Sequence, residues 1–460
     1  MRRFWSILLA AVALASGLAL AAAGDCPDFR ATTRSVGPKM GLSPSRDRRV
    51  VLAQLHSRLP AERMDAVRRL RDFPALEAAR AIVPAALIDP APQVRRVAYE
   101  TLLTWTDQRD FCDFLITALE RESRTRKGSA VAPPLIAALL TSELPETQQA
   151  LTGFLERYAS ASKDGVVAVA AAADELGQQG GRESLAALEK LMGQKRVVDK
   201  FPCRRAVVQG MIQVRRGEAV AVLIKQLGKE DGEVRGDIVR HLTEVTGQTH
   251  GIDSRAWQAW WQEHGSGLQF PAPAAGPAAQ QAAAPGTPTY YGLSLYARRV
   301  VFVLDISGSM KGPRLAAAKR ELIGTLESLP GDCEVGIVAF NDHTAAWQRD
   351  LVRASPAAKQ GAIQFVRNLR AGGNTAAYDA LNAAFRFDAE AIYFLSDGQP
   401  NAGKISAPGD IVAAVTKANR SRRMSVYTIG IAPGLAGGPL ELFVKTLAEQ
   451  NFGVYRRVDQ

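Results

Sequence analysis

One break in periodicity constrains this chain more than anything else in its 460 residues. From Asp47 to Gly265, apolar residues recur at three- and four-residue intervals, and the breaks carry Pro, Gly or Asp. That is the pattern of one short amphipathic helix after another. Beyond about Tyr290 the pattern becomes strand, helix, strand. Val300–Leu304, Val335–Phe340, Ala391–Leu395 and Ser425–Ile431 are apolar runs of strand length, with helical patterns such as Leu315–Leu329 between them. Alternation of this kind makes a mostly parallel sheet covered on both faces. Between the two stretches, Gln269–Pro288 carries five prolines, no charge and little apolar bulk. It cannot build a core and reads as a semi-extended tether, so that proteolysis is expected to cut between about Gly267 and Pro288 and release two folded fragments. The expected organisation is therefore an all-α region over 47–265, a linker over 266–290 and an α/β doubly wound, Rossmann-like domain over 291–460.

The helical region is self-similar. Ala81–Arg95 can be laid on Ala219–Arg235 with a two-residue offset: an apolar helix, a turn with Asp and Pro or Gly, then Val94-Arg95 or Val234-Arg235 opening the next helix. This resembles HEAT-type repeats, in which paired antiparallel helices stack into a solenoid. The resemblance implies that the turn Asp caps the next helix, that the Val enters the core, and that the Arg lies along neighbouring turns. At ~40 residues per repeat, about five repeats are expected. The middle, from Arg121 to Lys200, matches the pattern poorly. Trp257, Trp260 and Trp261 fall at helical spacing and are expected to cover the open end of the stack.

With 47% hydrophobic and 22% charged residues, the chain is expected to fold rather than stay disordered. Lys and Arg number 57 against 46 Asp and Glu, a formal net charge of +11. The excess is spread thinly, with 20 basic against 15 acidic residues from Tyr291 to the end. No run of five or six like charges exists, nor basic residues interleaved with stacking aromatics, so nucleic-acid binding is not expected. Met1-Arg2-Arg3 followed by the uncharged apolar run Phe4–Ala23, with Ala21-Ala22-Ala23 before Gly24, reads as a signal peptide over 1–23. Twenty apolar residues could also serve as a retained anchor, but the Ala-rich run interrupted by Ser16-Gly17 favours cleavage. Asp25 before Cys26 argues against lipidation. The mature protein is expected to be exported, periplasmic or secreted to the cell surface, and free of membrane contact. Cys26, Cys112, Cys203 and Cys333 include no C-x-x-C pair; disulfides in any of three pairings and buried free thiols both remain open.

The Val300–Leu304 strand ends in Asp305-Ile306-Ser307-Gly308-Ser309-Met310. One carboxylate and two hydroxyls on alternate residues of a tight loop can point at one place, and they are hard oxygen donors suited to Mg²⁺, Mn²⁺ or Ca²⁺. Gly372-Gly373-Asn374-Thr375 presents a further hydroxyl at the mouth of a helix, and Asp397 follows the Ala391–Leu395 strand. In a doubly wound sheet, loops at the carboxyl ends of adjacent strands converge at the switch point, where Asp305 and Asp397 would meet. This resembles the von Willebrand factor type A domain and its metal-ion-dependent adhesion site, over about Arg298 to Val458. The resemblance implies that Asp305, Ser307, Ser309, Thr375 and Asp397 hold a divalent cation, Mg²⁺ first with Mn²⁺ or Ca²⁺ as alternatives. In the family the hydroxyls bind the ion directly and the aspartates often act through water. Gly-Gly-Asn-Thr departs from the commoner Gly-Gly-Gly-Thr but removes no ligand. Asn341-Asp342 lies near the same edge and reads as a strand-end cap.

An ion held mainly by neutral hydroxyls and waters keeps net positive charge and an open position, which a partner's carboxylate can fill. The expected function is thus an exported, non-enzymatic binding scaffold that engages a protein partner through an acidic side chain completing the metal shell. The alternative is a structural assembly protein in which the helical repeats bind and the type A domain is a packing module. A metal-dependent hydrolase is the remaining class. His56, His241, His250, His264 and His343 are scattered, no G-x-S-x-G or P-loop occurs, and no base accompanies the two aspartates.

Overall fold

The computed structural model describes residues 44–124, 128–161, 163–270, 287–432, 434 and 436–459. The signal peptide expected over 1–23, Cys26 and most of the Pro/Ala-rich stretch lie outside the described residues. Residues Val51–Gln460 form one compact unit. Among the described residues no helix is long and apolar enough to cross a membrane.

Fourteen α-helices run between Pro44 and His264 among the described residues. The two copies of the turn motif fold alike. Val94 and Val234 are fully buried. Arg95 reaches back to the carbonyl of Asp89 at 2.6 Å, and Arg235 to that of Glu230, so each covers the open carbonyls of the turn before its own helix. The aspartates do not act as the expected caps. Asp231 occupies the cap position of helix Gly232–Thr246 without a side-chain hydrogen bond to it. Asp89 lies two residues before the cap of helix Pro92–Leu103, accepts from the Ala91 N–H, and takes both arms of Arg63 at 2.6 and 2.7 Å. Asp89 thus serves the arginine and the N–H of the cap residue together, rather than the first N–H groups of the helix itself.

The stretch that matched the repeat poorly packs by close approach. Helix Lys163–Gln179 is rich in Ala and lies against helix Phe201–Gln213. A Cβ at Gly177 would stand 2.7 Å from the Cα of Gly210, and one at Gly210 would stand 2.6 Å from the Ala173 carbonyl oxygen. Backbones this close leave no room for the Leu and Val ridges by which a repeat announces itself. Helix Ser254–His264 ends the helical region. Trp257 is fully buried with its Nε1 donating to the Gly251 carbonyl at 2.9 Å, and Trp261 packs half-buried on the same core. Cys112, Cys203 and Cys333 are buried free thiols.

The strands are β1 (Thr289–Tyr290), β2 (Leu293–Ser294), β3 (Arg299–Asp305), β4 (Glu334–Phe340), β5 (Thr344–Ala346), β6 (Val352–Arg353), β7 (Ala391–Ser396), β8 (Ser425–Ile431) and β9 (Tyr455–Val458), with further helices between them. β1 and β2 pair as a hairpin; the other seven form one sheet in the order β5-β4-β3-β7-β8-β9, with β6 also on β4. β4, β3, β7, β8 and β9 are mutually parallel, and β5 and β6 run antiparallel to β4. Side chains alternate across the sheet. Val300, Phe302 and Leu304 pack under helices Pro313–Ser328 and Pro356–Asn368. Val301 and Val303 pack on the opposite face with helices Ala377–Ala384, Pro408–Asn419 and Pro439–Glu449.

The amino-terminal edge of this sheet meets the helical region through buried charge. Arg205, fully buried in helix Phe201–Gln213, holds Asp237 with two hydrogen bonds at 2.7 and 3.0 Å, and it donates to the Arg423 carbonyl and to Ser425 Oγ at the start of β8. Glu233 accepts from Ser425 Oγ and from the Tyr427 hydroxyl. Its own backbone N–H donates at 3.0 Å to Glu390, the residue before β7. Arg423 returns the contact by pairing with Asp174 at 2.8 and 3.0 Å. Gly232 has φ +56°, and a Cβ there would stand 2.2 Å from the Glu390 carboxylate; only glycine permits this approach. Cutting within the Pro/Ala-rich stretch is therefore expected to nick the chain without separating it. The two pieces should co-elute in gel filtration until denaturant is added; separation in plain buffer would show that the buried contact does not hold.

His241, 5% exposed, lies near the same contact, and burial together with the charge of Arg215 pushes its pKa down to about 4. The unfolded chain binds this proton near the ordinary value of 6.5 while the folded one resists it. Stability from this group is thus complete above pH 6.5 and is lost as the pH falls toward 4, by at most about 3 kcal/mol. His241→Leu should flatten that part of the stability–pH curve in urea titrations; an unchanged slope would refute the assignment.

Candidate functional site

The carboxyl ends of β3 and β7 lie side by side where the strand order reverses, because β4 flanks β3 on one side and β7 and β8 follow on the other. This is the crevice where open α/β sheets bind ligands. Asp305 is the last residue of β3, and Asp397 follows the last residue of β7. The helical region occupies the opposite edge, about 20 Å away along strands of six or seven residues.

Asp305 is fully buried. Its Oδ1 accepts from the Ser307 N–H at 2.7 Å and its Oδ2 from Ser396 Oγ at 2.6 Å. Burial, the largest cause, pushes its pKa up to about 6 despite these donors, and the nearby Asp397 charge adds to the rise. Ser307 Oγ and Ser309 Oγ are 3.0 Å apart, and Ser309 Oγ donates to Asp397 Oδ1 at 2.7 Å. Thr375, 3% exposed, joins through Gly398: a Cβ built there would lie 3.5 Å from both Ser309 Oγ and Thr375 Oγ1. All five residues singled out in the sequence thus face one small space.

Three loops are tied together around it. The Ile306 N–H donates to the Phe340 carbonyl, Gly308 to that of Gly373, and Gly372 to that of Ile306, all at 2.8–2.9 Å. Thr375 is set by its N–H on Asn401 Oδ1 at 2.8 Å. Asn341 and Asp342 do more than cap β4. Asn341 Nδ2 holds the Gly372 carbonyl at 2.8 Å, and Asp342 accepts from both the N–H and the Nδ2 of Asn374. Those two bonds from Asn374 keep the Asp342 pKa below its ordinary value. The Asn that departs from the commoner glycine therefore anchors its loop through a side chain glycine lacks. Sequence reasoning missed Arg314, Ser396 and Asn401. Ser396 could have been found as the inward residue beside Asp397; Asn401 and Arg314 carry no local signal.

Two carboxylates and three hydroxyls are an oxygen-only donor set, which fits a hard divalent cation. Among the described residues no group of three or more His, Cys, Asp or Glu is placed to hold a metal; any cation here would depend on the hydroxyls.

Residues 298–456 match the family model of the von Willebrand factor type A domain. Inter-alpha-trypsin inhibitor heavy chain H3 of Mesocricetus auratus is 31% identical over 180 residues, 36% of this chain and 20% of that protein. Von Willebrand factor A domain-containing protein 3A of Homo sapiens is 35% identical over 136 residues, 29% of this chain and 11% of that protein. The chain thus spans a fifth or less of the length of these relatives. Among solved structures, a von Willebrand factor type A from Catenulispora acidiphila aligns with 22% identity and a TM-score of 0.31, over 35% of this chain and 38% of that one. An aerotolerance-related membrane protein from Bacteroides fragilis aligns with 22% identity and a TM-score of 0.27, over 35% and 92%.

Proposed function

We propose that this chain, whose residues 298–456 are a von Willebrand factor type A domain behind an all-helical repeat region, is an exported, non-enzymatic binding scaffold. Asp305, Ser307, Ser309, Thr375 and Asp397 hold a divalent cation, Mg²⁺ in the first instance with Mn²⁺ or Ca²⁺ as alternatives. When bound, the ion supplies a Lewis-acidic contact for an acidic side chain of a partner protein. The observation that carries this reading is the unbroken chain Asp305–Ser307–Ser309–Asp397 at the carboxyl edge of the sheet, with Thr375 facing it. Asp305 orients the Ser307 loop from below, Ser307 and Ser309 turn their hydroxyls to one point, and Asp342 and Asn401 fix the loop that carries Thr375. The ordered loops reduce the entropy cost of gathering the ligands.

The buried polar contact between the helices and β8 supports the second reading, in which the type A domain packs and the repeats bind. The two differ in one measurement. Calorimetric titration of Mg²⁺, Mn²⁺ and Ca²⁺ into the full chain should give saturable binding at or below millimolar concentration, and partner capture from the native source should be lost in chelator. No heat from any of the three ions, in this chain or in one lacking the Arg314 guanidinium, would end the metal reading. Capture indifferent to chelator would favour the repeats as the binding surface.

A further inference from the structure

Arg314 stands in the first turn of helix Pro313–Ser328, directly over the cluster. Its Nη1 donates to Asp397 Oδ2 at 2.7 Å and lies 3.4 Å from the Ser309 carbonyl oxygen. Asp397 Oδ1 already accepts from Ser309 Oγ, so protein donors engage both oxygens of this carboxylate and one of them is a cation. The two side chains differ in freedom. Asp397 is fully covered, whereas the Arg314 side chain is 35% exposed and can leave into solvent. Pro313 opens the helix and Gly312, at φ +78°, turns the chain into it, so the backbone under Arg314 is fixed while its side chain is not.

We propose that Arg314 is a built-in competitor for the divalent ion: its guanidinium and the ion contend for Asp397, and this residue sets the ion concentration at which the site fills. The inference rests on the reading of the cluster as a cation site and adds to it what controls loading. An ion that takes Asp397 must displace a charge-assisted N–H···O bond and settle beside a positive charge that has moved only a side chain's length away. Both effects oppose binding, and both vanish with the guanidinium. In the ion-free protein Arg314 instead balances the negative charge that Asp397 and Asp305 bring to the end of the sheet. A plain, partly exposed ion pair would contribute little and would not touch ion affinity.

The test is calorimetric titration of Mn²⁺, and separately Mg²⁺, into the full chain and its Arg314→Gln and Arg314→Lys variants, with thermal melts in chelator and in saturating Mn²⁺. Arg314→Gln should bind both ions about tenfold more tightly. Arg314→Lys, which keeps the charge but loses the planar fork, should gain less than about threefold. In chelator Arg314→Gln should melt lower than the unaltered chain, and its gain on adding Mn²⁺ should be larger. Structural damage alone would lower the melt and the affinity together. Equal or weaker affinity in Arg314→Gln, with the unaltered chain binding normally, overturns the competitor role and leaves the cation site standing. Binding by Arg314→Gln alone supports the proposal. Binding by neither at millimolar ion overturns this inference together with the reading beneath it.

Discussion

Arg205→Ala is expected to lower the stability of the full chain by about 3–5 kcal/mol, the range for removing one partner from a buried ion pair. Arg205 is fully buried and binds Asp237, the Arg423 carbonyl and Ser425 Oγ at once. Alanine leaves Asp237, itself 9% exposed, with Arg240 as its remaining charged partner, at 2.6 Å. It also strips the Arg423 carbonyl and Ser425 of their donor and opens a cavity beside Phe201 and Phe452, whose rings lie 5.9 and 5.3 Å from the guanidinium. Because these contacts join the helices to β8, the loss should also split a single unfolding transition into two. The measurement is urea unfolding followed by circular dichroism and tryptophan fluorescence. All six tryptophans but Trp5 and Trp347 lie in the helical region, so fluorescence reports chiefly on that half. A loss below about 1 kcal/mol with coincident transitions would mean that the network does not join the two halves.

Asp305→Ala is expected to abolish divalent-ion binding while leaving the fold intact. Loss of a group that merely supports a metal ligand typically costs 10–100-fold in affinity; losing the carboxylate that orients the Ser307 loop should cost at least about 100-fold. The fold should tolerate it, because burial already disfavours this charge, as the rise of its pKa to about 6 indicates. Ser396 Oγ keeps the Gly398 carbonyl as acceptor at 3.1 Å. Thr375→Ala should be milder for the ion, since it removes one neutral ligand and leaves the Asn401 hydrogen bond to its N–H in place. The check is ion titration with melts in chelator. Unaltered ion affinity in Asp305→Ala would remove this cluster as the site, and an unfolded Asp305→Ala protein would show that the carboxylate has a structural role instead.

Sequence by itself determined the local elements and the identity of the cluster. Apolar runs of strand length mark β3, β4, β7 and β8, because strands buried on both faces must be apolar throughout. Asp305, Ser307 and Ser309 share one loop, and Thr375 and Asp397 each sit just past a recognisable element, so their convergence follows from parallel-sheet topology alone. The arginines of the two turn motifs were legible because their partners lie only five or six residues away.

Tertiary structure alone decided the rest. Arg205 and Ser425 are 220 positions apart and Glu233 and Tyr427 are 194 apart; on a helical repeat these charges look like an ordinary solvated face. The Ala- and Gly-rich helix Lys163–Gln179 carries no ridge pattern because its packing depends on the absence of side chains at Gly177 and Gly210. Arg314 reaches Asp397 across 83 positions, and nothing near it in the chain marks it. Periodicity records which face of an element is buried, but a polar pair is specified only when two distant backbones fix the distance and direction between its atoms. For that reason the chain's own residues named the oxygen cluster, while the arginine beside it and the buried contact at the far edge of the sheet came from the fold.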